Sequence, residues 1–445
     1  MTSKLTFSQP LDKMDSRFRG NDIKIHELFR QNMLKFLIKN NALLIIISLF
    51  GLWLLSGCND KPTELGFTFV KDTVAMGTVT SYDAQLITGT ENRKRRLTLF
   101  QTGGLFIGNF GDWKAITLIR LANLPDTLNY LTQSNIISAE IKLYPSLYIL
   151  GDSNNGRLSF KLHKAIKLWS GFTNWDSVFT SGEQYYDYNP VGSVDTLYKP
   201  ADTITPISIP FDPSVVEYWS RLLNDSISKR SNWGLVLIPE NNSNAIYRFF
   251  GQALGLSNPA PYCFIRFINK NTNAIDSVYL SSGYEISLVN SPPPEKNSII
   301  VQGAVSYVTR ISFDVSMLPD LSGVHVAEFY LTYNPEKSIY GNLGPDSTLR
   351  LELFPDTSDL VAPIRTYYAE KISDENKYKV SSIASAIEYW NRNKIKNCFL
   401  LIKADGTKNE YRQIDRMEFY NIDAIDASLR PELRLIYSKR PEFQK

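Results

Sequence analysis

The sequence predicts an all-β protein made of two tandem jelly-roll-like β-sandwiches, each with one short amphipathic helix. Strand-forming aromatic residues are abundant, with 24 Tyr and 24 Phe in 445 residues. The 24 Gly and 22 Pro are scattered between short apolar runs, as expected of turns that separate many strands. A series of elements also occurs twice in the same order, which indicates that one unit was duplicated.

The duplication comprises seven matched elements with drifting spacing. The first copy begins near Asp72 and the second near Asp276, which predicts domains at 72–269 and 276–440 with a linker at 270–275. The matched pairs are 118–125 with 308–319, 138–144 with 326–333, 158–162 with 349–353, 217–221 with 388–392, 232–238 with 397–402, 248–250 with 418–420 and 261–267 with 431–437.

Most of the matched elements have the period of a strand, because apolar and polar residues alternate in 141–144 and 349–353. The exception in each copy is a Glu-Tyr-Trp segment with helical spacing. In the first copy Asp212 supplies a cap and Pro213 a first-turn proline, after which Val215, Trp219 and Leu222 share one face. The second copy repeats this spacing at Ile383, Ile387 and Trp390.

The N-terminal segment has the organisation of an export signal. An apolar run at 42–55 follows Lys35 and Lys39, and it is too short to span a bilayer comfortably as a helix. It ends in Leu55-Ser56-Gly57-Cys58, which resembles the lipobox of bacterial lipoproteins. The resemblance implies a signal peptide at 33–57, lipidation at Cys58 and a polar tether at 58–71, anchored at the outer membrane or cell surface. An uncleaved signal anchor is the alternative.

Residues 1–32 are a polar stretch that is unusual in front of such a signal, so we interpret them as a mis-annotated extension with Met33 as the true start. Without residues 1–57, which carry eight Lys/Arg and four Asp/Glu, the formal charge changes from +3 to −1. No basic field then remains to favour nucleic acid as a partner. Cys263 and Cys398 lie in apolar runs, which favours buried thiols over a disulfide.

The order of motifs in the first copy resembles the DNRLRE-type β-sandwich of bacterial exported proteins, which is related to a carbohydrate-binding module family. The motifs are the Gly-Asn-Phe-Gly-Asp loop at 108–112, the strand 138–144, the Trp-rich bend at 169–175 and the closing strand 261–267. The second copy lacks the Trp-rich bend and is a diverged relative. The resemblance implies an extracytoplasmic setting and, in some members, polysaccharide binding; it implies no ligand residues.

The sequence offers no convincing catalytic set, so we expect no enzyme. Gly151-Asp152-Ser153 mimics the nucleophile block of a lipase and esterase family, but neither His163 nor His325 lies in the late Asp-x-x-His pattern of such enzymes. No metal-ligand spacing or cofactor motif is present, so we expect no cofactor. A structural calcium near Asp112 or Asp152 has no motif to support it. A polysaccharide lyase or esterase is therefore the weakest functional alternative.

Aromatic residues in loops of the first copy are the candidate ligand contacts, because exposed rings stack on the apolar faces of sugars. These candidates are Trp113, Trp169, Trp175, Tyr185, Tyr186 and Tyr188. The alternative is that the tryptophans fasten the bend and the tyrosines cover sheet edges. We expect a non-catalytic, lipid-anchored envelope protein that binds polysaccharide or another surface partner through its first domain. A structural spacer or assembly subunit of an envelope complex is the alternative.

Overall fold

The predicted all-β fold class is confirmed by a computed structural model, in which short strands pair antiparallel throughout. The structure describes residues 75–95, 99–227, 231–253, 259–304, 307–320, 322–355, 362–405 and 412–439. These described residues belong to one compact unit. The predicted signal, the tether and Cys58 lie outside the described residues.

The described residues contain 23 strands. In chain order they are β1 (Ala75–Thr80), β2 (Ile87–Lys94), β3 (Leu99–Phe100), β4 (Thr102–Phe110), β5 (Trp113–Leu121), β6 (Ile136–Leu143), β7 (Pro145–Gly151), β8 (Arg157–Ala165), β9 (Tyr186–Leu197), β10 (Ile207–Pro210), β11 (Leu235–Pro239), β12 (Ala245–Ala253), β13 (Tyr262–Ile268), β14 (Ile275–Asn290), β15 (Ser298–Gln302), β16 (Tyr307–Phe313), β17 (Gly323–Thr332), β18 (Thr348–Leu353), β19 (Arg365–Lys371), β20 (Lys377–Val380), β21 (Cys398–Ala404), β22 (Arg416–Tyr420) and β23 (Glu432–Lys439).

Three short α-helices accompany the strands in the described part of the chain: α1 (Trp175–Phe179), α2 (Pro213–Leu222) and α3 (Ala384–Arg392). Helix α2 begins as predicted, since the Asp212 carboxylate accepts a hydrogen bond from the Ser214 N–H. Trp219 of α2 and Trp390 of α3 are both 2% exposed and anchor their helices in apolar cores. Helix α1 was not expected; it occupies the Trp-rich bend and is capped by Asn174.

The strands form two sheets with the same pattern of neighbours. In the 12-stranded sheet, β6 lies between β10 and β13, and β11 lies between β5 and β8. In the 11-stranded sheet, β17 lies between β20 and β23, and β21 lies between β16 and β18. Apart from β10 and β20, these strands are matched elements of the sequence repeat. We call β3–β14 the first half, and β1, β2 and β15–β23 the second half.

The first strands of the two copies are exchanged between the halves. Strands β1 and β2 open the first copy in the sequence, yet they pair with β23 and β16 of the second half. Strand β14 opens the second copy, yet it pairs with β13 and β5 of the first half. The strand pairing therefore differs from the expected division into 72–269 and 276–440. The expected linker is a tight turn between β13 and β14, in which the Asn269 N–H donates to the Ala274 carbonyl at 2.9 Å.

Each half encloses its own apolar core, and the exchanged strands contribute to the core of the half they join. Leu280 of β14 packs in the core of the first half with Cys263 and Trp219. Val79 of β1 and Ile87 of β2 pack in the core of the second half. Alternation along each strand explains this, because every second side chain of a strand points to the same face.

The halves meet across a buried polar contact. The Tyr148 hydroxyl of β7 donates to Asp415 Oδ1 at 2.5 Å, and the Gly341 N–H donates to the same oxygen at 2.9 Å. Desolvation raises the pKa of Asp415 to about 6, although these two hydrogen bonds oppose the shift. The Asp415 carboxyl between the two halves therefore changes its charge near pH 6.

Candidate functional site

Trp113 is not available to a ligand. It begins β5 directly after the two-residue turn that follows Phe110, and it is only 3% exposed. Its ring packs in an apolar cluster between the halves, and the Arg416 guanidinium lies 5.0 Å from the ring centre. Because both ring faces are covered by protein, Trp113 is removed from the candidate ligand contacts.

The Trp-rich bend has mainly a structural role. Trp169 is 6% exposed, and its indole N–H donates to the Trp233 carbonyl at 2.9 Å. Tyr185 is 8% exposed and packs in the same cluster, which covers the outer face of β5 and β11. Trp175 is half-buried, with its ring centre 4.4 Å from that of Phe179. These three candidates therefore fasten the bend to the sheet.

Tyr186 and Tyr188 do reach the surface, at the edge formed by β9. Tyr188 is 69% exposed, and its ring meets that of Tyr186 edge-on at 5.5 Å. Tyr186 in turn packs edge-on at 5.1 Å against His163, whose Nδ1 lies 2.8 Å from the Asp187 carbonyl oxygen. Desolvation lowers the pKa of His163, so its imidazole is neutral at physiological pH.

A larger aromatic surface lies on the outer face of β6, β13 and β14. We call Tyr144, Tyr262, Phe264 and Tyr279 the aromatic face. Ring centres are separated by 6.3 Å between Tyr144 and Tyr262, 5.8 Å between Tyr262 and Tyr279, and 4.7 Å between Tyr279 and Phe264. Tyr279 is 65% exposed and the other three rings are half-buried. The four rings therefore form a continuous row at the surface.

The row follows from strand alternation and register. Along β13, Cys263 and Ile265 point into the core, so Tyr262 and Phe264 point outward. Tyr279 of β14 lies directly opposite Phe264 in the antiparallel ladder, which places their rings side by side. The exchange of β14 into the first half is thus what completes the row.

Polar groups border the aromatic face on β6. Glu140 and Lys142 lie opposite Phe264 and Tyr262 and form an ion pair of 2.9 Å. The Ser208 hydroxyl of β10 also donates to Glu140. Desolvation acts to raise the pKa of Glu140, but the bonds from Ser208 and Lys142 outweigh it and lower that pKa. The carboxylate therefore stays ionised beside the rings and offers acceptors for hydroxyl groups.

The second half has charged or small residues where the first half has rings. The repeat matches 261–267 with 431–437, and residue 80 lies opposite residue 434 as residue 279 lies opposite residue 264. The corresponding residues are Tyr262 and Glu432, Phe264 and Arg434, and Tyr279 and Thr80.

Charged side chains cover the equivalent face of the second half. The Arg434 guanidinium pairs with Glu432 at 2.6 Å and also lies 4.8 Å from the ring centre of Tyr330. Lys379 pairs with Glu328 at 2.6 Å, and the Tyr330 hydroxyl donates to Glu328 at 2.8 Å. Arg434 and Lys379 thus cover the ring of Tyr330, and charged or small residues stand where the aromatic face has rings.

The sequence interpretation missed the aromatic face. The alternating pattern of Tyr262, Cys263, Phe264 and Ile265 was a usable signal for outward-facing rings. Tyr279, however, was assigned to the second domain, so its position beside Phe264 could not be seen.

The segment with Asp152 and Ser153 is a turn between β7 and β8, as the repeat predicts. Asp152 accepts hydrogen bonds from the N–H groups of Asn154 and Asn155 at 2.8 and 2.9 Å. Within the described ranges there is no group of three or more His, Cys, Asp or Glu side chains that could hold a metal ion. No helix in the described part of the chain has the length and apolar character needed to span a membrane.

Comparisons with known proteins do not identify a family. No family model matches the chain, and no curated protein matches it either. The structure of the Macrobrachium rosenbergii nodavirus is 9% identical in sequence and aligns over 82% of this chain and 90% of the viral chain, with a TM-score of 0.11. A TM-score this low carries no argument. The expected resemblance to DNRLRE-type domains and to lipoproteins therefore stays a prediction.

Proposed function

We propose that this protein is a non-catalytic, lipid-anchored component of a bacterial cell envelope, built on two jelly-roll-like β-sandwiches, and that it binds polysaccharide through the aromatic face. The observation that carries the proposal is the row of Tyr144, Tyr262, Tyr279 and Phe264 on an exposed sheet surface.

The chemistry of the row suits an extended sugar chain. Pyranose rings have apolar faces that stack on aromatic rings, and adjacent carboxylate and ammonium groups can bond their hydroxyls. Glu140 and Lys142 are placed beside the rings for this purpose. A row of exposed aromatic rings costs solubility unless it is used, since contiguous apolar patches usually mark interaction sites. The edge formed by Tyr186 and Tyr188 is a smaller second candidate surface.

The anchor rests on the sequence alone. The apolar run 42–55 and Cys58 motivate a signal peptide and a diacyl or triacyl anchor, which would hold the protein at the outer membrane, facing the periplasm or the cell surface. Mass spectrometry of the N-terminal peptide from cells tests this. A lipidated Cys58 supports the proposal, and an unmodified N-terminal methionine contradicts it.

Binding is tested by depletion of residues 74–445 from solution with a panel of insoluble polysaccharides. The test variant is Tyr262→Ala with Tyr279→Ala, and the matched control is Tyr368→Ala, which removes a ring that is 46% exposed on the second half. Each lost stacking contact costs about 1 kcal/mol, so we expect the double variant to bind about 25-fold more weakly. Equal binding by wild type and the double variant would refute the aromatic face as the site.

A role as an assembly subunit is favoured by a different observation. In the Trp-rich bend, Phe172 is 87% exposed and Leu168 is 55% exposed. Two such side chains on one bend suit a protein partner. Cross-linking from residue 172 in intact cells tests this: a single dominant protein adduct supports it, and a dispersed pattern contradicts it.

A further inference from the structure

A groove of about 480 Å³ opens in the second half, away from the aromatic face. One wall is the turn between β1 and β2, and the other is the segment between β22 and β23. Its volume is in the range of small-molecule sites. The lining residues are Ser81, Tyr82, Asp83, Ala84, Gln85, Ile87, Ile422, Asp423, Ala427, Arg430 and Pro431.

The first wall is held in place by hydrogen bonds. The Ser81 N–H donates to the Leu433 carbonyl at 2.9 Å, and the Leu433 N–H donates back to Ser81 Oγ at 3.0 Å. The Thr80 hydroxyl donates to Asp83 Oδ2 at 2.8 Å, which closes the turn. The wall that carries Tyr82 is therefore preformed, and a ligand would not have to order it.

The second wall is braced in the same way. Arg430 Nε donates to the Ala424 carbonyl at 2.7 Å, which ties the two ends of the segment together. The N–H and hydroxyl of Ser428 donate to Asp426 Oδ1 at 2.9 and 2.7 Å. Both walls are thus rigid elements, as a binding site requires.

The turn that forms the first wall has no counterpart in the described part of β14 in the first half. Between Thr80 and Ile87 the chain leaves the sheet in a turn, which creates the first wall. In the first half, β14 continues through the equivalent region with only a register shift between Ser282 and Tyr284. The two halves therefore differ in this region, since a turn replaces the continuous strand in the second half.

The lining separates into an apolar floor and a polar rim. Ala84, Ile87, Ile422, Ala427 and Pro431 supply the apolar surface. At the rim, Tyr82 is 48% exposed, and Asp83, Gln85 and Asp423 are also exposed. Desolvation and the nearby Glu432 carboxylate raise the pKa of Tyr82, so its hydroxyl remains a hydrogen-bond donor.

We propose that this groove binds one or two neutral sugar residues. The carboxylates of Asp83 and Asp423 would repel an anionic ligand, and Arg430 reduces the attraction of these carboxylates for a cationic one. A neutral polyol can donate hydroxyls to the carboxylates and to Gln85, accept from Arg430, and place an apolar ring face against Tyr82. The inference goes beyond the proposed function, because it assigns a second site for a short saccharide to the other half.

The site gives the protein a means to hold one glycan at two points. The aromatic face would bind along a chain and the groove would bind a chain end or branch. Two linked sites raise overall affinity without any new contact, provided that one ligand can reach both.

The test is calorimetric titration of residues 74–445 with soluble neutral sugars: glucose, galactose, mannose, xylose, N-acetylglucosamine and their disaccharides. We expect saturable binding of at least one sugar, and a loss of at least tenfold in affinity for both Tyr82→Ala and Asp423→Asn. The variant Tyr262→Ala with Tyr279→Ala should bind that sugar as wild type does, which separates the groove from the aromatic face.

The proposal is overturned if no sugar of the panel binds. It is also overturned if the variant Tyr262→Ala with Tyr279→Ala loses affinity for the sugar while Tyr82→Ala binds it as wild type does. It is also overturned if charged monosaccharides bind the groove in preference to neutral ones. The Tyr82→Ala variant lacks the groove contact but keeps the aromatic face, so its depletion by polysaccharide measures binding at the aromatic face alone. The groove proposal and the proposed function can therefore fail independently. Circular dichroism of each variant verifies that the fold is kept.

Discussion

The strand exchange predicts that β14 stabilises the core of the first half and that β1 and β2 stabilise the core of the second half. Labelling of the buried thiols Cys263 and Cys398 can report the opening of each core. Leu280 lies opposite Cys263 in the first half and is 2% exposed. Leu86, between β1 and β2, is 1% exposed and packs in the same core as Cys398 in the second half. Leu280→Ala and Leu86→Ala are therefore matched perturbations of the two exchanged segments.

The expected effect is large. Truncation of a buried leucine to alanine costs about 2–5 kcal/mol, and a cost of about 3 kcal/mol raises the population of the opened state roughly 100-fold. In the closed state both thiols are inert, because burial raises the pKa of Cys263 far above its usual value and that of Cys398 to about 12. Thiol labelling therefore tracks opening of each core.

The assay is pulse labelling of residues 74–445 with a thiol reagent, with each cysteine quantified by peptide mass spectrometry. We expect Leu280→Ala to accelerate labelling of Cys263 more than that of Cys398, and Leu86→Ala to do the opposite. A division of the chain at 270–275 predicts the reverse. A larger acceleration of labelling at Cys263 than at Cys398 in Leu86→Ala, each relative to wild type, would refute the exchange.

Three further outcomes follow from the structure. Because the folded carboxyl of Asp415 has a pKa of about 6 against 3.8 when unfolded, its ionisation costs about 3 kcal/mol, and stability falls as pH rises from 4 to 6. Asp415→Asn, which keeps the acceptor for Tyr148, should raise the urea midpoint at pH 8 and flatten that pH dependence; an unchanged profile would contradict this. Trp113→Ala should cost about 3–5 kcal/mol in urea unfolding yet leave the polysaccharide affinity of the folded protein unchanged, whereas weaker binding would return Trp113 to the site. Gly234→Ala should lower the melting temperature, because Gly234 has φ +85° and an added Cβ would lie 1.9 Å from the Ile119 carbonyl oxygen; an unchanged melting temperature would show that the backbone relaxes freely.

The strands and helices could be predicted from the sequence more accurately than the pairing between strands. Alternation identified β6 and β18 as strands, and the Asp212–Pro213 pair identified the start of α2, because both signals are local. The partner of a strand is not local. The exchanged segments occupy equivalent positions in the two sheets, β1 and β2 beside β23 and β16 and β14 beside β13 and β5, and these pairings join residues far apart in the sequence.

Contacts between residues distant in the sequence also decide which candidate ligand contacts are buried. Trp113 follows a glycine-rich turn, which is typical of an exposed loop, but it is buried by residues of the second half such as Arg416. The burial of Trp169 likewise depends on a carbonyl 64 positions away, at Trp233. Tyr188 is 69% exposed at the edge formed by β9, and its role as a ligand contact stays a prediction.

The central claim is that polysaccharide lies on the aromatic face, and residue-level hydroxyl-radical footprinting tests it most directly. The polysaccharide that depletes the protein best is added to residues 74–445, and oxidation of Tyr279, which is 65% exposed, is compared with that of Tyr368, which is 46% exposed. Our account predicts that the bound polysaccharide protects Tyr279 and leaves Tyr368 unchanged. Undiminished oxidation of Tyr279 under saturating polysaccharide would contradict it.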